Sequence, residues 1–300
     1  MLIHFVRNGN SYLPEIDAYC AYIQSCSHQF IVHNFSNSVP CSASVVWWMC
    51  GRVPLREAHR LRSAFHIHEY ASASIPPYAW LKDQAKHWTQ PIPDYRIYQN
   101  GWVRERMGFD DRVPHALRDM GVSEHFFDPP SHSLSAEFDF VYLGEMSRLL
   151  SFVSVLRAIG TAGRSLLLVG DVPAELQKHL TDNVHCTGRV SHADVSLHLR
   201  RARFGLNLVP NNLPYQHQTS TKVLEYCAAG LRVVSNAYPW VRYFMAQHNA
   251  NFYLLNADTQ SLATSFGEGL EAYPYKVPDM RKLAWPKVID ALPLWRTLLR

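Results

Sequence analysis

The run HQTSTKVLEYCAAG carries the residues whose types and spacing are best suited to chemistry. Thr219, Ser220 and Thr221 stand where a helical pattern begins, and hydroxyls at that place cap a helix. The free N–H groups of a helix start, together with the ammonium of Lys222, favour a phosphate. Glu225 follows about one turn later, and its carboxylate could accept both hydroxyl hydrogens of a ribose. The spacing fits equally well an ordinary capped helix with a solvated glutamate.

A second group of candidates lies in the run HIHEYAS. On a strand, His66 and His68 point to one side and Glu69 to the other. The run ends a predicted strand, where sites form in parallel sheets, and an imidazole or carboxylate there can orient a hydroxyl or transfer a proton. The alternative is that these histidines have structural roles, with their ring nitrogens hydrogen-bonded to the backbone. A metal site is a weak alternative, because one strand cannot aim all three side chains at one ion.

The first predicted strand leads into the turn RNGNS. Gly9 in this turn would let the backbone approach a phosphate or a sugar closely. The turn is not a G-x-G-x-x-G run, so the sequence does not support a nicotinamide cofactor.

Short apolar runs alternate with helical patterns along the chain, which predicts parallel strands joined by covering helices in an α/β fold. In the first part we expect a helix from Pro14 and strands at 1–6, 29–34, 44–48, 64–68 and 95–99. Residues 105–137 are rich in charge, proline and histidine, and the run FDPPSHSLSAEFD has no periodicity, which indicates a linker. We therefore predict a reduced first domain at 1–135, a second at 136–280, and a helical segment at 281–300.

The second part is more regular, and its pattern completes a doubly wound domain. Its strands are expected at 138–144, 164–171, 183–188, 204–210, 231–236 and 251–255.

The composition narrows the class of protein. With 47% hydrophobic and 18% charged residues, the 300-residue chain is typical of globular proteins. A net charge of +4 permits contact with anionic lipid or nucleotide without requiring it. Six scattered cysteines without a C-x-x-C pair indicate reduced thiols and a cytoplasmic protein. No run has the pattern of a signal peptide or a membrane span, so we expect neither.

The segments FVYLGEMSR, LLLVGD, HCTGRVSHADVSLHLRRA and TKVLEYCAAGLRVVSN occur in this order over residues 138–236. Together they resemble the nucleotide-sugar-binding domain of GT-B glycosyltransferases, specifically the retaining family 4 and its relatives. The last segment is the specific part. The resemblance implies two Rossmann-like domains facing a cleft, with the closing segment 281–300 returning to the first domain.

The resemblance also assigns roles to residues. It implies that Glu225 binds the donor ribose, that the backbone of Arg189 and Val190 holds the base, and that Ser220 and Thr221 meet the diphosphate.

Around the segment GEMSR, the resemblance makes Gly144 and Arg148 donor-binding candidates, and Lys222 takes over part of the work on the diphosphate. Two positions depart from the family pattern. His217 stands where the family has its first glutamate, and Arg232 stands where it has a proline. The family glutamate meets the sugar ring, so His217 bears on the identity of the sugar.

The function that the resemblance implies is transfer of a hexose-like sugar from a nucleoside-diphosphate sugar to a glycan or lipid-linked acceptor, in surface polysaccharide or lipopolysaccharide synthesis. Configuration would be retained, with His68, Glu69 and His217 as catalytic candidates. No Asp-x-Asp run occurs, so the leaving diphosphate would be stabilised without metal or other cofactor. The alternatives are a non-catalytic subunit that binds a sugar nucleotide or glycan, and an epimerase of the same fold.

Two basic patches could contact an anionic membrane, which would make the protein peripheral on its inner face; no nucleic-acid partner is expected. One patch has Arg52, Arg56 and Arg60 at helical spacing. The other, IPPYAWLKDQAKHW, mixes Trp80, Trp88, Lys82 and Lys86. A solvated helix face explains either patch alone.

Overall fold

Two parallel β-sheets, each in its own unit, organise the chain. The computed structural model describes residues 1–7, 9, 13–49, 53–74, 76–128, 136–255, 262 and 264–298. Met1–Gly121 and Leu283–Arg300 form the first unit, and Val122–Lys282 forms the second. Both sheets have six strands. The first domain was expected to be reduced, but its sheet has as many strands as that of the second unit.

The first sheet has the order β2-β1-β3-β4-β5-β6, and all of its pairs are parallel. Its strands are β1 (Leu2–Val6), β2 (Gln29–His33), β3 (Val45–Met49), β4 (Phe65–Tyr70), β5 (Tyr95–Tyr98) and β6 (His115–Leu117). The helices between them are α1 (Pro14–Ser25), α2 (Leu55–Arg60), α3 (Ala79–Thr89) and α4 (Gly101–Met107). All five residues of β3 are buried, as expected of a parallel strand covered on both faces.

The second sheet has the order β12-β11-β10-β7-β8-β9, again parallel throughout. Its strands are β7 (Phe138–Leu143), β8 (Leu166–Val169), β9 (Val184–Cys186), β10 (Ala202–Asn207), β11 (Arg232–Asn236) and β12 (Tyr253–Leu255). Its helices are α5 (Val153–Thr161), α6 (Ala174–Gln177), α7 (Val195–Leu199), α8 (Thr221–Ala228), α9 (Pro239–Gln247) and α10 (Gly269–Ala272). The strand order reverses between β7 and β10, and ligands of such sheets bind at this switch point.

The segment predicted to be a linker contains structure of both units. It supplies β6 and the fully buried Arg118 to the first unit. Phe126 is buried in the second unit, where Arg200 donates hydrogen bonds to the carbonyls of His125 and Phe126. These buried groups attach the two parts of the segment to different units. The units therefore divide between Gly121 and Val122, earlier than the boundary predicted near residue 135.

The C-terminal segment packs on the first unit through α11 (Trp285–Asp290) and α12 (Trp295–Leu298). The Tyr22 hydroxyl donates to Asp290 Oδ1 over 2.8 Å, and the Trp295 ring lies 5.1 Å from the Tyr22 ring. Gly121 makes room for this segment, because a Cβ there would lie 2.5 Å from the Trp285 ring. None of the helices in the described ranges combines the length and the apolar character needed to cross a bilayer.

Candidate functional site

The start of α8 lies at the switch point of the second sheet. The Tyr226 hydroxyl accepts a hydrogen bond from Leu143 N on β7 and donates one to Leu206 O on β10, both over 3.2 Å. Gly205 makes room for this side chain, because a Cβ there would lie 2.4 Å from the tyrosine ring. Tyr226 and Gly205 therefore set α8 against the two strands. Sequence reasoning missed both, although the glycine inside a strand was a signal of close approach.

A buried polar network holds the N-terminus of α8. Ser220 is the residue before the helix, and its hydroxyl donates to Asn207 Oδ1 over 2.8 Å. Asn207, which has no exposed surface, donates in turn to the hydroxyls of Ser235 and Tyr238. The prediction that the Ser220 hydroxyl caps α8 is wrong, because this side chain is directed to the buried Asn207 and accepts no hydrogen bond from the helix start. The N–H groups at the helix start donate no hydrogen bond to the Ser220 side chain.

Two cations lie beside this helix start. Lys222 is buried, and its ammonium lies 5.0 Å from the centre of the Tyr142 ring. Burial and, secondarily, the charge of Arg148 lower the pKa of Lys222 to about 8. The Arg148 guanidinium lies 4.7 Å from the centre of the Tyr215 ring. Positive charge is thus concentrated at a helix N-terminus, which favours an anion.

A concavity opens at this place, lined by Arg148, Val209, Tyr215, Gln218, Thr219, Ser220, Thr221 and Lys222. Gly144 adjoins it with a φ of +113°, and a Cβ there would lie 3.7 Å from Lys222 Cδ. A side chain at residue 144 would therefore be strained by this φ, although its Cβ would only reach ordinary contact with the lysine. The structure thus brings together the predicted Gly144, Arg148, Ser220, Thr221 and Lys222.

Glu225 is half-buried one turn into α8. Its Oε1 lies 3.6 Å from His192 Nε2, while its buried Oε2 has no hydrogen-bond partner in the described part of the chain. A buried acceptor without a donor is rare in a folded protein, and a bound water or a ligand would satisfy it.

The remaining candidates of the second unit lie on its loops. Arg189 is exposed and Val190 half-buried in the loop after β9, which turns at Gly188 with a φ of +69°. His192 continues that loop and brings it to Glu225. His217 is half-buried and ends the short 3₁₀ helix Tyr215–His217.

In the first unit the structure separates the three candidates of β4. His66 accepts a hydrogen bond from Trp48 Nε1 over 3.0 Å, and its other ring nitrogen contacts Leu61 O over 2.9 Å. Glu69 accepts from Trp47 Nε1 over 2.8 Å and pairs with Arg118. Both side chains are buried and have partners within the fold, which does not favour contact between Glu69 and a substrate.

His68 differs from these two side chains. It is buried, its Nδ1 lies 3.4 Å from the Tyr70 hydroxyl, and its Nε2 has no partner among the described residues. Burial, with a smaller effect of the Arg96 charge, lowers the pKa of His68 to about 3. The imidazole is therefore neutral at physiological pH.

Gly9 follows β1 with a φ of +66°, and its N–H donates to Asn34 O over 3.2 Å. Apart from its two chain neighbours, no described residue has an atom within 4 Å of the place where its Cβ would be. The other residues of its turn, at 8 and 10–11, lie outside the described part of the chain.

The chain was compared with known proteins. The family model described as "Glycosyl transferases group 1" matches residues 137–271. No curated protein matches the chain.

Several solved structures share the fold. A glycosyltransferase from Rickettsia africae superposes with a TM-score of 0.69 at 10% identity, covering 100% of this chain and 98% of that one. Anabaena HepE, solved in complex with UDP and glucose, gives 0.63 at 12% identity over 97% and 94% of the two chains. WaaG, a glycosyltransferase involved in lipopolysaccharide biosynthesis, gives 0.57 at 11% identity over 98% and 96%. Residues 137–271 of the chain, most of the second unit, thus match the group 1 glycosyltransferase model, and the chain has the two-domain GT-B fold of these solved glycosyltransferases.

Proposed function

We propose that this glycosyltransferase transfers a sugar from a nucleoside-diphosphate sugar to a glycan or lipid-linked acceptor in the synthesis of surface polysaccharide or lipopolysaccharide, with retention of configuration and without a metal ion. The observation that carries the donor assignment is the concavity at the start of α8, where Lys222, Arg148 and the N-terminus of the helix meet. The binding of UDP and glucose by Anabaena HepE supports the same donor class.

Each part of the donor finds a matching group. The diphosphate would take the N–H groups of Ser220 and Thr221 and the two cations, which stabilise the charge that develops on the leaving group. The ribose hydroxyls would donate to Glu225, whose Oε2 is without a partner in the described structure. The base would meet the backbone of Arg189 and Val190. His217 would contact the sugar, and its imidazole can donate to a hydroxyl or to a phosphate.

On the acceptor side, His68 is the remaining proposed catalytic residue, with the Gly9 turn as a backbone contact. Because burial lowers its pKa to about 3, His68 would act as a neutral hydrogen-bonding group that orients a hydroxyl. It would not act as a charged acid.

Release of nucleoside diphosphate by the full chain tests this function. A thermal-shift screen of nucleotide sugars first identifies the donor, because a bound donor stabilises the fold. Release that requires both donor and glycan acceptor supports the transferase. Binding without turnover would instead indicate a non-catalytic subunit, and conversion of the donor without acceptor would indicate an epimerase.

We also propose that α3 contacts an anionic membrane in the cytoplasm, which would bring the enzyme to a lipid-linked acceptor. Its buried residue is Asp83, which accepts a hydrogen bond from Ser74 N and lies 3.4 Å from Arg106 Nε. The apolar side chains point outward instead, with Trp88 80% exposed and Trp80 and Leu81 also exposed. Exposed tryptophans on an amphipathic helix suit a membrane interface.

The basic patch on α2 supports this contact less. Arg60 donates hydrogen bonds to Glu57 Oε2 and to the carbonyls of Val39 and Ser36, so it braces the turn before β3. Arg56 is exposed, and Arg52 lies outside the described residues.

Co-sedimentation with phosphatidylglycerol vesicles tests the membrane contact. The double variant W80A/W88A should lose sedimentation, whereas Y243A, which removes an exposed aromatic of the second unit, should keep it. Equal sedimentation of the two variants would refute the contact.

A further inference from the structure

The carboxylate of Glu225 lies beside a histidine that does not line the concavity. His192, on the loop between β9 and α7, places its Nε2 3.6 Å from Glu225 Oε1. The other oxygen, Oε2, keeps its lone pairs without a hydrogen-bond donor in the described structure. The two oxygens of one carboxylate are thus in different situations: one faces an imidazole, and the other is buried without a donor among the described residues.

The imidazole itself is braced from behind. The His125 ring meets the His192 ring edge to face, with centroids 5.2 Å apart, and the Phe126 ring lies 5.6 Å away. The His125 side chain also forms a hydrogen bond with the backbone of His192. A residue packed on two rings loses little further freedom when it holds a partner, so it can orient that partner efficiently.

His125 and Phe126 are in turn held by contacts within the second unit. Arg200 donates hydrogen bonds to the carbonyls of His125, Phe126 and Asp128. Phe126 is buried. A continuous series of contacts therefore runs from Arg200 through Phe126 and His192 to the carboxylate of Glu225.

We propose that His192 is the positioning residue of Glu225: it holds Oε1 and thereby leaves Oε2 turned to the ribose hydroxyls of the donor nucleotide. The proposal rests on the assignment of Glu225 to the ribose. Its consequence is specific, because His192 then determines how well the site distinguishes a ribonucleotide from a 2′-deoxyribonucleotide. Its loss leaves the diphosphate contacts of Lys222 and Arg148 in place.

The test measures dissociation constants by calorimetry for the tightest binder among UDP, GDP and ADP, for its 2′-deoxy counterpart, and for inorganic pyrophosphate. We expect the wild-type chain to prefer the ribonucleotide about tenfold, the contribution of a hydrogen bond to a charged group. H192A and E225Q should each lose most of this preference and bind pyrophosphate normally. Normal pyrophosphate binding also shows that the variants are folded.

Two further variants sharpen the result. Because both residues act through one contact, adding H192A to E225Q should cause no further loss. H192Q keeps a side-chain N–H and should recover part of the preference. H185A is the matched control, since His185 is an exposed histidine of the same unit that contacts Phe138.

The outcomes separate this inference from the proposed function. If E225Q loses the ribose preference and H192A keeps it, the role of His192 is refuted while the donor site stands. Equal losses of ribonucleotide and pyrophosphate in H192A also refute it, since the effect is then not on the ribose. If E225Q keeps the preference, or none of the three nucleotides binds, the assignment of Glu225 fails and the role of His192 fails with it.

Discussion

The two sheets use their charged residues in opposite ways. In the first unit, Glu69 and Arg118 are buried and pair with each other on the face of the sheet. In the second unit, Lys222 and Glu225 lie on a helix that starts at the edge of the sheet, and the described structure leaves Glu225 Oε2 without a partner. Charged side chains on a covered sheet face pair with one another, whereas those at a helix start remain available to a ligand.

The same contrast separates the two histidines of β4. Both ring nitrogens of His66 have partners at hydrogen-bond distance, so this residue belongs to the core. His68 Nε2 has none in the described part of the chain. Of these two histidines, His68 is therefore the one whose ring keeps unused hydrogen-bonding capacity among the described residues.

The largest effect is expected from R118M. Removing one partner of a buried ion pair leaves the other charge unpaired, which costs about 3–5 kcal/mol of the free energy of unfolding. Urea unfolding measures it, with R281M as the control, because Arg281 pairs with Asp279 at the surface and should change by less than about 1 kcal/mol. Equal stability of the two variants would mean that Glu69 and Arg118 do not form the structural pair.

K222M should weaken ligand binding without lowering stability, because it removes a desolvated charge at the site. We expect nucleoside-diphosphate affinity to fall at least about tenfold, as loss of a charge-assisted contact predicts. The free energy of unfolding should stay the same or rise. Calorimetry and urea unfolding measure the two quantities, with K178M as the control for an exposed lysine of the same unit. A marked loss of stability would make Lys222 structural, like Arg118.

The pH dependence gives a smaller, graded effect. Because the pKa of Lys222 is about 8, the affinity for nucleoside diphosphate should fall between pH 7 and pH 9 as the ammonium loses its proton. K222R should abolish this fall, since arginine keeps its charge. In the absence of ligand, the unfolded chain holds more protons than the folded chain from about pH 8 to 10.5, so the contribution of Lys222 to stability should rise with pH there. An affinity that is flat from pH 7 to 9 would contradict the role of Lys222.

The smallest expected effect is on the shape of the activity profile in H68A. If the neutral imidazole only orients a hydroxyl, its removal should lower the transfer rate by the same factor at every pH from 5 to 8, because its pKa is about 3. Transfer rates of wild type and H68A over this range measure it. Unchanged transfer would remove His68 from the site, and loss of a limb near pH 6–7 would show that it titrates.

The sequence predicted most of the architecture, because hydrophobic periodicity is a local property. The buried run of β3, the start of α1 at Pro14 and the strands of the second sheet follow from the pattern of neighbouring residues. β6 was missed because only its central residue is buried. The grouping of Lys222 and Glu225 was also predictable, since it depends on positions along one helix.

Which groups remain available to a ligand was decided only by the tertiary structure. Glu69 meets Arg118 because β4, β5 and β6 lie side by side, and no spacing along the chain reveals that neighbourhood. Likewise, Ser220 donates to Asn207, and His192 reaches Glu225 from a distant loop. The residue types and their order determined the candidates, whereas the contacts between separate elements determined which of them the fold occupies.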